Sequence, residues 1–306
     1  MVFGHENVRQ YLGKSWKRGT VSHGYFLHGP RHVGKTMTAL SFAKTLLCEE
    51  GKHFGGCGVC AACLHVIAFM EPRCITLQPG LPILSKVERD KNEIGIEEIR
   101  EVRKRLSYSA LGWQIVLILD AEKLSREASN ALLKILEEPG RNTVFLFVSS
   151  RPAYVLPTIT SRLLRLRFSF VSDDALRSVP GATLELLALA LGRPGVLVRM
   201  MEDDASRKRQ AEWYRLAEEI SSGSYGKALA LSEKIAENTE AREEVSFYLL
   251  RLLQKQYRKK MPDYSAMSSR HVFHALDVMA ASETMNVNRR LAVDIICMNL
   301  SGFASL

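Results

Sequence analysis

Three groups of residues in this chain have the types and spacing to do chemistry. The first is Gly29-Pro30-Arg31-His32-Val33-Gly34-Lys35-Thr36, which fits the pattern G-x-x-x-x-G-K-[ST]. Glycines let backbone N–H groups curl around phosphates, and a following helix N-terminus adds partial positive charge. Lys35 can reach the β- and γ-phosphates, and the Thr36 hydroxyl can ligate Mg²⁺. The pattern implies a site for ATP and Mg²⁺. It speaks for binding, because turnover needs further residues.

The second group is Cys48, Cys57, Cys60 and Cys63, spaced C-x8-C-x2-C-x2-C. Two overlapping C-x2-C steps bring thiolates around one tetrahedral centre, and Cys48 at the end of a helix supplies a fourth. Four sulfurs suit a closed, structural Zn²⁺ site with no position left for catalysis. An iron–sulfur cluster is the alternative ligand set, and disulfides are disfavoured where thiols are kept reduced. His53 and His65 are read as surface residues, and Cys74 and Cys297 as buried thiols.

The third group is a lone acid. The apolar run Ile115–Leu119 ends in Asp120, followed by Ala121, Glu122 and Lys123. Nucleotide hydrolysis depends on metal placement and water orientation. A strand that ends in one carboxylate before alanine holds half of what that needs.

The elements that must position these groups alternate. Strands are expected at Tyr25–Leu27, Ile75–Leu77, Ile115–Leu119, Val144–Val148 and Leu163–Phe168, with helices at Thr36–Leu47, Ile96–Leu106 and Ser125–Leu136. Strands separated by helices imply an α/β fold with a mostly parallel sheet covered on both faces. Met37, Leu40, Ala43 and Leu47 fall at helical spacing for one buried stripe, as do Leu124, Ala128, Leu132 and Ile135. Beyond residue 168 the patterns are helical, broken at Pro180-Gly181, Gly192–Gly195, Gly223 and Pro262. The reading is three domains: 1–168, α/β with the cysteine insertion at 48–63; 169–204, small and helical; and 205–306, helical.

With 306 residues, 46% of them hydrophobic and 25% charged, the composition is that of a globular protein. No apolar run approaches the roughly 18 residues of a membrane span, and the first ten residues lack a signal-peptide core. A cytoplasmic protein is expected, with no membrane partner. The net charge of +9 is spread along the chain, so the basic runs Ser206–Arg209 and Gln256–Lys260 are read as solvated helix faces.

Several motifs occur together and in order: His5-Glu6, the segment SHGYFLHGPRHVGKT, the four cysteines, SREASNALLKILEEP (Ser125–Pro139) and Thr160-Ser161-Arg162. With them the chain resembles the bacterial clamp-loader subunits of DNA polymerase III, in the AAA+ superfamily. The resemblance implies a RecA-like domain with a zinc knuckle, a helical lid and a helical collar that holds a pentameric ring together. It further implies neighbours that include motor subunits of the gamma/tau type and a delta subunit. The ring would act on a sliding clamp and primed DNA in DNA replication.

Two kinds of ring member carry the cysteine insertion, an ATP-hydrolysing motor and a largely rigid stator. In motors the strand ends in Asp-Glu, eleven and ten residues before the Asn of NALLK. Counted back from Asn130, those positions are Leu119 and Asp120. Asp120 then stands at the water-side position, one methylene shorter than Glu, and the metal-side carboxylate is absent. A one-residue slip would instead leave Ala121 in the Glu position, so either register breaks the pair. A bulge that brought Glu122 into the site is disfavoured, because alternation sends it further along the loop. Motors also place a lid Arg where this chain has Gly195. These features favour the stator, with little or no polymerase or ATPase activity of its own and with ATP binding left open. A motor subunit is the alternative, and a stand-alone zinc-containing DNA-binding protein a more distant one. By the same resemblance Ser161-Arg162 matches a Ser-Arg-Cys motif, with Leu163 for Cys, whose Arg is a finger inserted into a neighbour's ATP site.

Overall fold

The computed structural model describes residues 3–51, 53–81, 92–107, 112–222 and 238–260. Five strands, β1 (Gly24–His28), β2 (Cys74–Leu77), β3 (Gln114–Ile118), β4 (Thr143–Ser149) and β5 (Leu164–Arg167), form one sheet in the order β2-β3-β4-β1-β5. Every pairing is parallel, with Phe26 opposite Phe147 and Arg165, and Val116 opposite Ile75 and Phe145. Parallel strands covered on both faces read as continuous apolar runs, and β4 is buried along its whole length.

Alternation divides the core in two. Tyr25, Leu27, Ile115, Leu117 and Leu119 face a cluster built with α2 (Lys35–Leu47), including Ala39, Phe42, Ala43 and Leu46. Phe26, Val116, Ile118, Phe145 and Phe147 face the opposite cluster, with Ile99 and Val102 of α4 (Ile96–Ser107) and Ala128, Leu132 and Leu136 of α5 (Arg126–Glu137). The Ser125 hydroxyl caps α5 by accepting from the Ala128 N–H at 3.0 Å.

The expected strands and helices are present, with ends shifted by a residue or two. Three stripe residues, Met37, Leu124 and Ile135, are less buried than the stripes require. Met37 is 45% exposed, because it lies in the first turn of α2 at the rim of a cleft. In α5, Leu136 is fully buried while Ile135 is only half-buried. The periodicity did not single out α1 (Glu6–Lys17), α3 (Ala61–Ile67) or the one-turn α6 (Pro157–Thr160).

The chain divides into two compact units, Met1–Ala182 with Gly192–Val196, and Thr183–Leu191 with Leu197–Leu306. The expected 169–204 segment therefore contributes to both. The helix α7 (Asp173–Arg177) and the start of α9 (Pro194–Glu202) belong to the first unit, and α8 (Leu184–Ala190), the rest of α9, α10 (Asp204–Ser222) and α11 (Thr239–Lys260) to the second. Trp213, Ala217 and Ile220 pack on Ala241, Val245, Tyr248 and Leu249. The buried Tyr248 hydroxyl lies 2.8 Å from the Leu189 carbonyl and 2.6 Å from Gln210 Oε1. Much of the expected 205–306 domain, Cys297 and the side chains of Gln256–Lys260 lie outside the described residues. No described helix is long and apolar enough to cross a membrane.

Candidate functional site

β1 runs directly into the glycine-rich loop, and the loop into α2. Gly29 has φ +143°, and a Cβ there would lie 2.2 Å from the Phe168 carbonyl oxygen, so no other residue fits the first turn. Gly34 is the N-cap of α2, whose first turn brings free N–H groups to the loop. Val33 is buried, and its carbonyl lies 3.0 Å from His5 Nε2. The His5 ring in turn sits 4.5 Å from that of Phe168. This pins the loop from the N-terminal side and gives His5 its role.

Lys35 is buried, and its Nζ donates to the Gly29 carbonyl at 2.8 Å, to the Pro30 carbonyl and to Ser150 Oγ at 3.1 Å. Burial lowers its pKa to about 8, against the pull of Glu122 and Asp120. A cleft of about 340 Å³ lies over the loop, lined by Arg31, His32, Gly34, Lys35, Thr36, Asp120, Ser150 and Gly195 among others. Loop, helix N-terminus and lysine thus converge on one cleft, as a bound phosphate chain requires.

The acids fall unevenly around it. The Leu119 N–H continues the β3 pairing, donating to Leu77 at 2.8 Å, and its side chain points into the cluster shared with α2. Asp120 turns left-handed, at φ +51°, and lines the cleft. Its carboxyl is raised above the usual range, first by partial burial and then by Glu122. Glu122 lies beside the cleft and not in its lining. A 3₁₀ turn at Ala121–Lys123 brings it back, and Glu122 Oε1 accepts the Ser150 N–H at 3.1 Å. It braces Ser150, which accepts from Lys35, and is absent from the cleft lining. Strand alternation hid this, because the left-handed Asp120 breaks the alternation two residues after the strand ends. Neither Glu122 nor Ser150 belongs to the loop pattern, so the pattern could not mark them.

Gly195 stands where the resemblance to motor subunits leads one to expect an Arg. Its N–H donates to the His32 carbonyl at 2.8 Å, and a Cβ there would meet the same oxygen at 3.0 Å. The start of α9 therefore touches the loop through backbone. Arg193 is buried and does not line the cleft.

The Sγ atoms of Cys48, Cys57, Cys60 and Cys63 all lie within 4.8 Å of one another. A tetrahedral ion with metal–sulfur bonds of about 2.3 Å needs sulfurs about 3.8 Å apart, so the set fits. The Cys57 N–H donates to Cys48 Sγ and the Cys60 N–H to Cys57 Sγ, both at 3.3 Å. Gly56, at φ +68°, lies where a Cβ would be 2.5 Å from Cys63 Sγ. Burial pushes the Cys63 thiol up to about 12. At Cys48 burial acts in the same direction but is outweighed by the N–H groups of Cys57, Gly51 and Glu50, which bring it to about 6. His53 and His65 are exposed.

Arg162 follows α6 on an exposed turn. The Thr160 and Ser161 hydroxyls bond back to the Pro157 and Thr158 carbonyls, so the short polar residues close the helix end. Leu163 turns inward, into the α5 cluster. The basic run at Ser206–Arg209 is largely answered: Ser206 is buried, and Arg207 and Arg209 pair with Asp204 and Asp203.

A parallel sheet whose interior strand feeds a G-x-x-x-x-G-K-T loop and a helix N-terminus defines an α/β protein of the P-loop class. A family model described as DNA polymerase III, delta subunit, matches residues 4–172, and the chain belongs to that family. Among curated relatives, the delta' subunit of Pseudomonas aeruginosa is 32% identical over 206 residues, covering 64% of this chain and 60% of that one. The Escherichia coli delta' subunit is 29% identical over 231 residues, covering 72% and 66%. The gamma/tau subunit of Mycobacterium bovis is 32% identical over 208 residues, covering 67% of this chain. The match spans 32% of that relative's length. A solved gamma subunit-related protein of Thermotoga maritima aligns over 96% of this chain and 98% of its own, with 18% identity and a TM-score of 0.44.

Proposed function

We propose that this chain is the delta-prime-type stator of a cytoplasmic DNA polymerase III clamp loader. It binds neighbouring motor and delta subunits, lends Arg162 to a neighbour's ATP site, and helps load a sliding clamp on primed DNA. Residues 1–168 form the AAA+ domain, 169–204 the lid and 205–306 the collar. The family, and relatives of both the delta' and gamma/tau kinds, support a place in that machine.

One observation carries the choice of stator over motor. The side chain on the α2 face at the end of β3 is Leu119, buried in the core, and among the described residues Asp120 is the one carboxylate that lines the cleft. A site built this way can hold a nucleotide: Lys35 and the loop amides would take the phosphates, and Thr36 would ligate Mg²⁺. It lacks a second carboxylate in the cleft to place metal and water together, and Gly195 removes the lid guanidinium. Zn²⁺, held by Cys48, Cys57, Cys60 and Cys63, would supply structure rather than chemistry, since four thiolates close its coordination sphere.

The chain's own chemistry then lies at Arg162. A guanidinium placed against a phosphoryl group in transfer stabilises its developing charge, and such fingers contribute roughly 10³–10⁵ in rate. The test is Arg162→Ala in a ring reconstituted with its partner subunits. Clamp- and DNA-stimulated hydrolysis at the neighbouring site should fall by at least about 10³-fold while assembly persists; an unchanged rate would remove the finger. The motor reading draws on the intact loop and the gamma/tau relatives, and it requires hydrolysis by the chain alone.

A further inference from the structure

Arg162 is not a loose side chain. Its NH1 donates to the Thr158 carbonyl at 2.8 Å and its NH2 to Glu137 Oε1 at 2.7 Å, although Arg162 and Glu137 are 37% and 52% exposed. The two anchors come from different elements. Thr158 belongs to α6, immediately before Arg162, whereas Glu137 is the last residue of α5, the helix that carries the NALLK segment. The backbone is held as well, with the Arg162 N–H donating to Ile159 at 3.1 Å.

From this geometry we infer that Glu137 is the positioning residue for Arg162: it fixes one edge of the guanidinium and leaves the rest to meet a neighbour's phosphates. The inference rests on the finger reading of Arg162. A guanidinium carries five N–H donors in a rigid fork. Two are occupied here, one by Thr158 and one by Glu137, which leaves Nε–H and one hydrogen on each terminal nitrogen. Those three suffice for a two-pronged contact with phosphate oxygens. A long side chain on a surface otherwise samples many rotamers, and ordering it at the moment of reaction raises the barrier. An exposed carboxylate pair is weak and screened by salt, so Glu137 can hold the fork without competing strongly against a triphosphate. It also ties the fork to the end of α5, so the finger's aim follows that helix rather than the α6 turn alone.

The experiment uses the reconstituted ring and measures single-turnover hydrolysis at the neighbouring site for wild type, Glu137→Ala, Arg162→Ala and the double variant. Glu137→Ala should lower the rate constant about 5- to 50-fold, with KM for ATP unchanged, since a misplacement of about an ångström costs up to roughly 10²-fold. The double variant should be no slower than Arg162→Ala, because residues acting as one unit are not additive. Glu137→Gln keeps an acceptor oxygen and should fall between wild type and Glu137→Ala. If Glu137→Ala runs at the wild-type rate while Arg162→Ala is slow, the positioning role is overturned and the finger stands. If Glu137→Ala slows the Arg162→Ala ring by its full factor, Glu137 acts apart from Arg162 and the role is again overturned. If Arg162→Ala itself is unchanged, the finger reading fails first.

Discussion

Replacing Leu119 by Asp tests the register on which the loss of the acid pair depends. Leu119 is 6% exposed and shares its cluster with α2 and the inner strands. Removing a buried leucine costs about 1.5–3 kcal/mol, and burying a carboxyl without a hydrogen-bond partner adds about 1–3 kcal/mol. The sum is about 2.5–6 kcal/mol, which for a unit of this size lowers Tm by roughly 5–24 °C. If position 119 is the metal side, the new carboxylate gains a contact when Mg²⁺ and ATP are present. Part of the loss should then return with Mg²⁺-ATP, and not with ATP in EDTA, as ligand linkage requires. Leu119→Ala is the control: a loss of about 2–5 kcal/mol from lost burial and the cavity together, with the wild-type response to Mg²⁺. Melting followed by circular dichroism under both conditions reads all of this. A Leu119→Asp protein melting within about 2 °C of wild type would refute the core placement. A melting loss identical in Mg²⁺ and EDTA would refute the register. Hydrolysis is not expected to appear, because Asp120 is one methylene shorter than Glu and Gly195 offers no guanidinium.

Three further expectations follow from named groups. Lys35 loses its proton near pH 8 in the free protein, so affinity for ATP should fall above that pH, by up to about tenfold per unit; a flat titration of a fluorescent ATP analogue through this range would count against Lys35 as the phosphate contact. Purified protein should release about one Zn²⁺ per chain when its thiols are titrated with a mercurial, and Cys63→Ser should abolish that release; release of iron and inorganic sulfide would favour the cluster alternative. Tyr248→Phe leaves the Leu189 carbonyl and Gln210 Oε1 short of a buried donor, and should cost the helical unit about 1–3 kcal/mol in denaturant unfolding.

Much of this was legible in the residues alone. The strands stood out because parallel strands buried on both faces are unbroken apolar runs, and β4 is the extreme case. The phosphate loop and cysteine cluster were readable because their chemistry demands fixed spacing, which the fold honours by bringing the four sulfurs within 4.8 Å. Leu119 joins Ile115 and Leu117 on the α2 face, as alternation along β3 requires. What escaped lies where periodicity ends. Glu122 reaches the Ser150 N–H through a single 3₁₀ turn. The Arg162–Glu137 pair joins residues 25 apart, through a meeting of helix ends that no local pattern encodes. Helix α3 is short and follows directly on Cys60, so the cysteine spacing masked its own pattern.

The central claim is that the chain keeps the form of a motor and performs its chemistry on a neighbour. Nucleotide binding and hydrolysis by the isolated chain, measured on the same preparation with Mg²⁺ present, test it most directly. Saturable ATP binding with turnover no faster than that of a Lys35→Ala control is the predicted result. Multiple turnovers at motor-like rates, abolished by Lys35→Ala, would contradict the account and make the chain a motor.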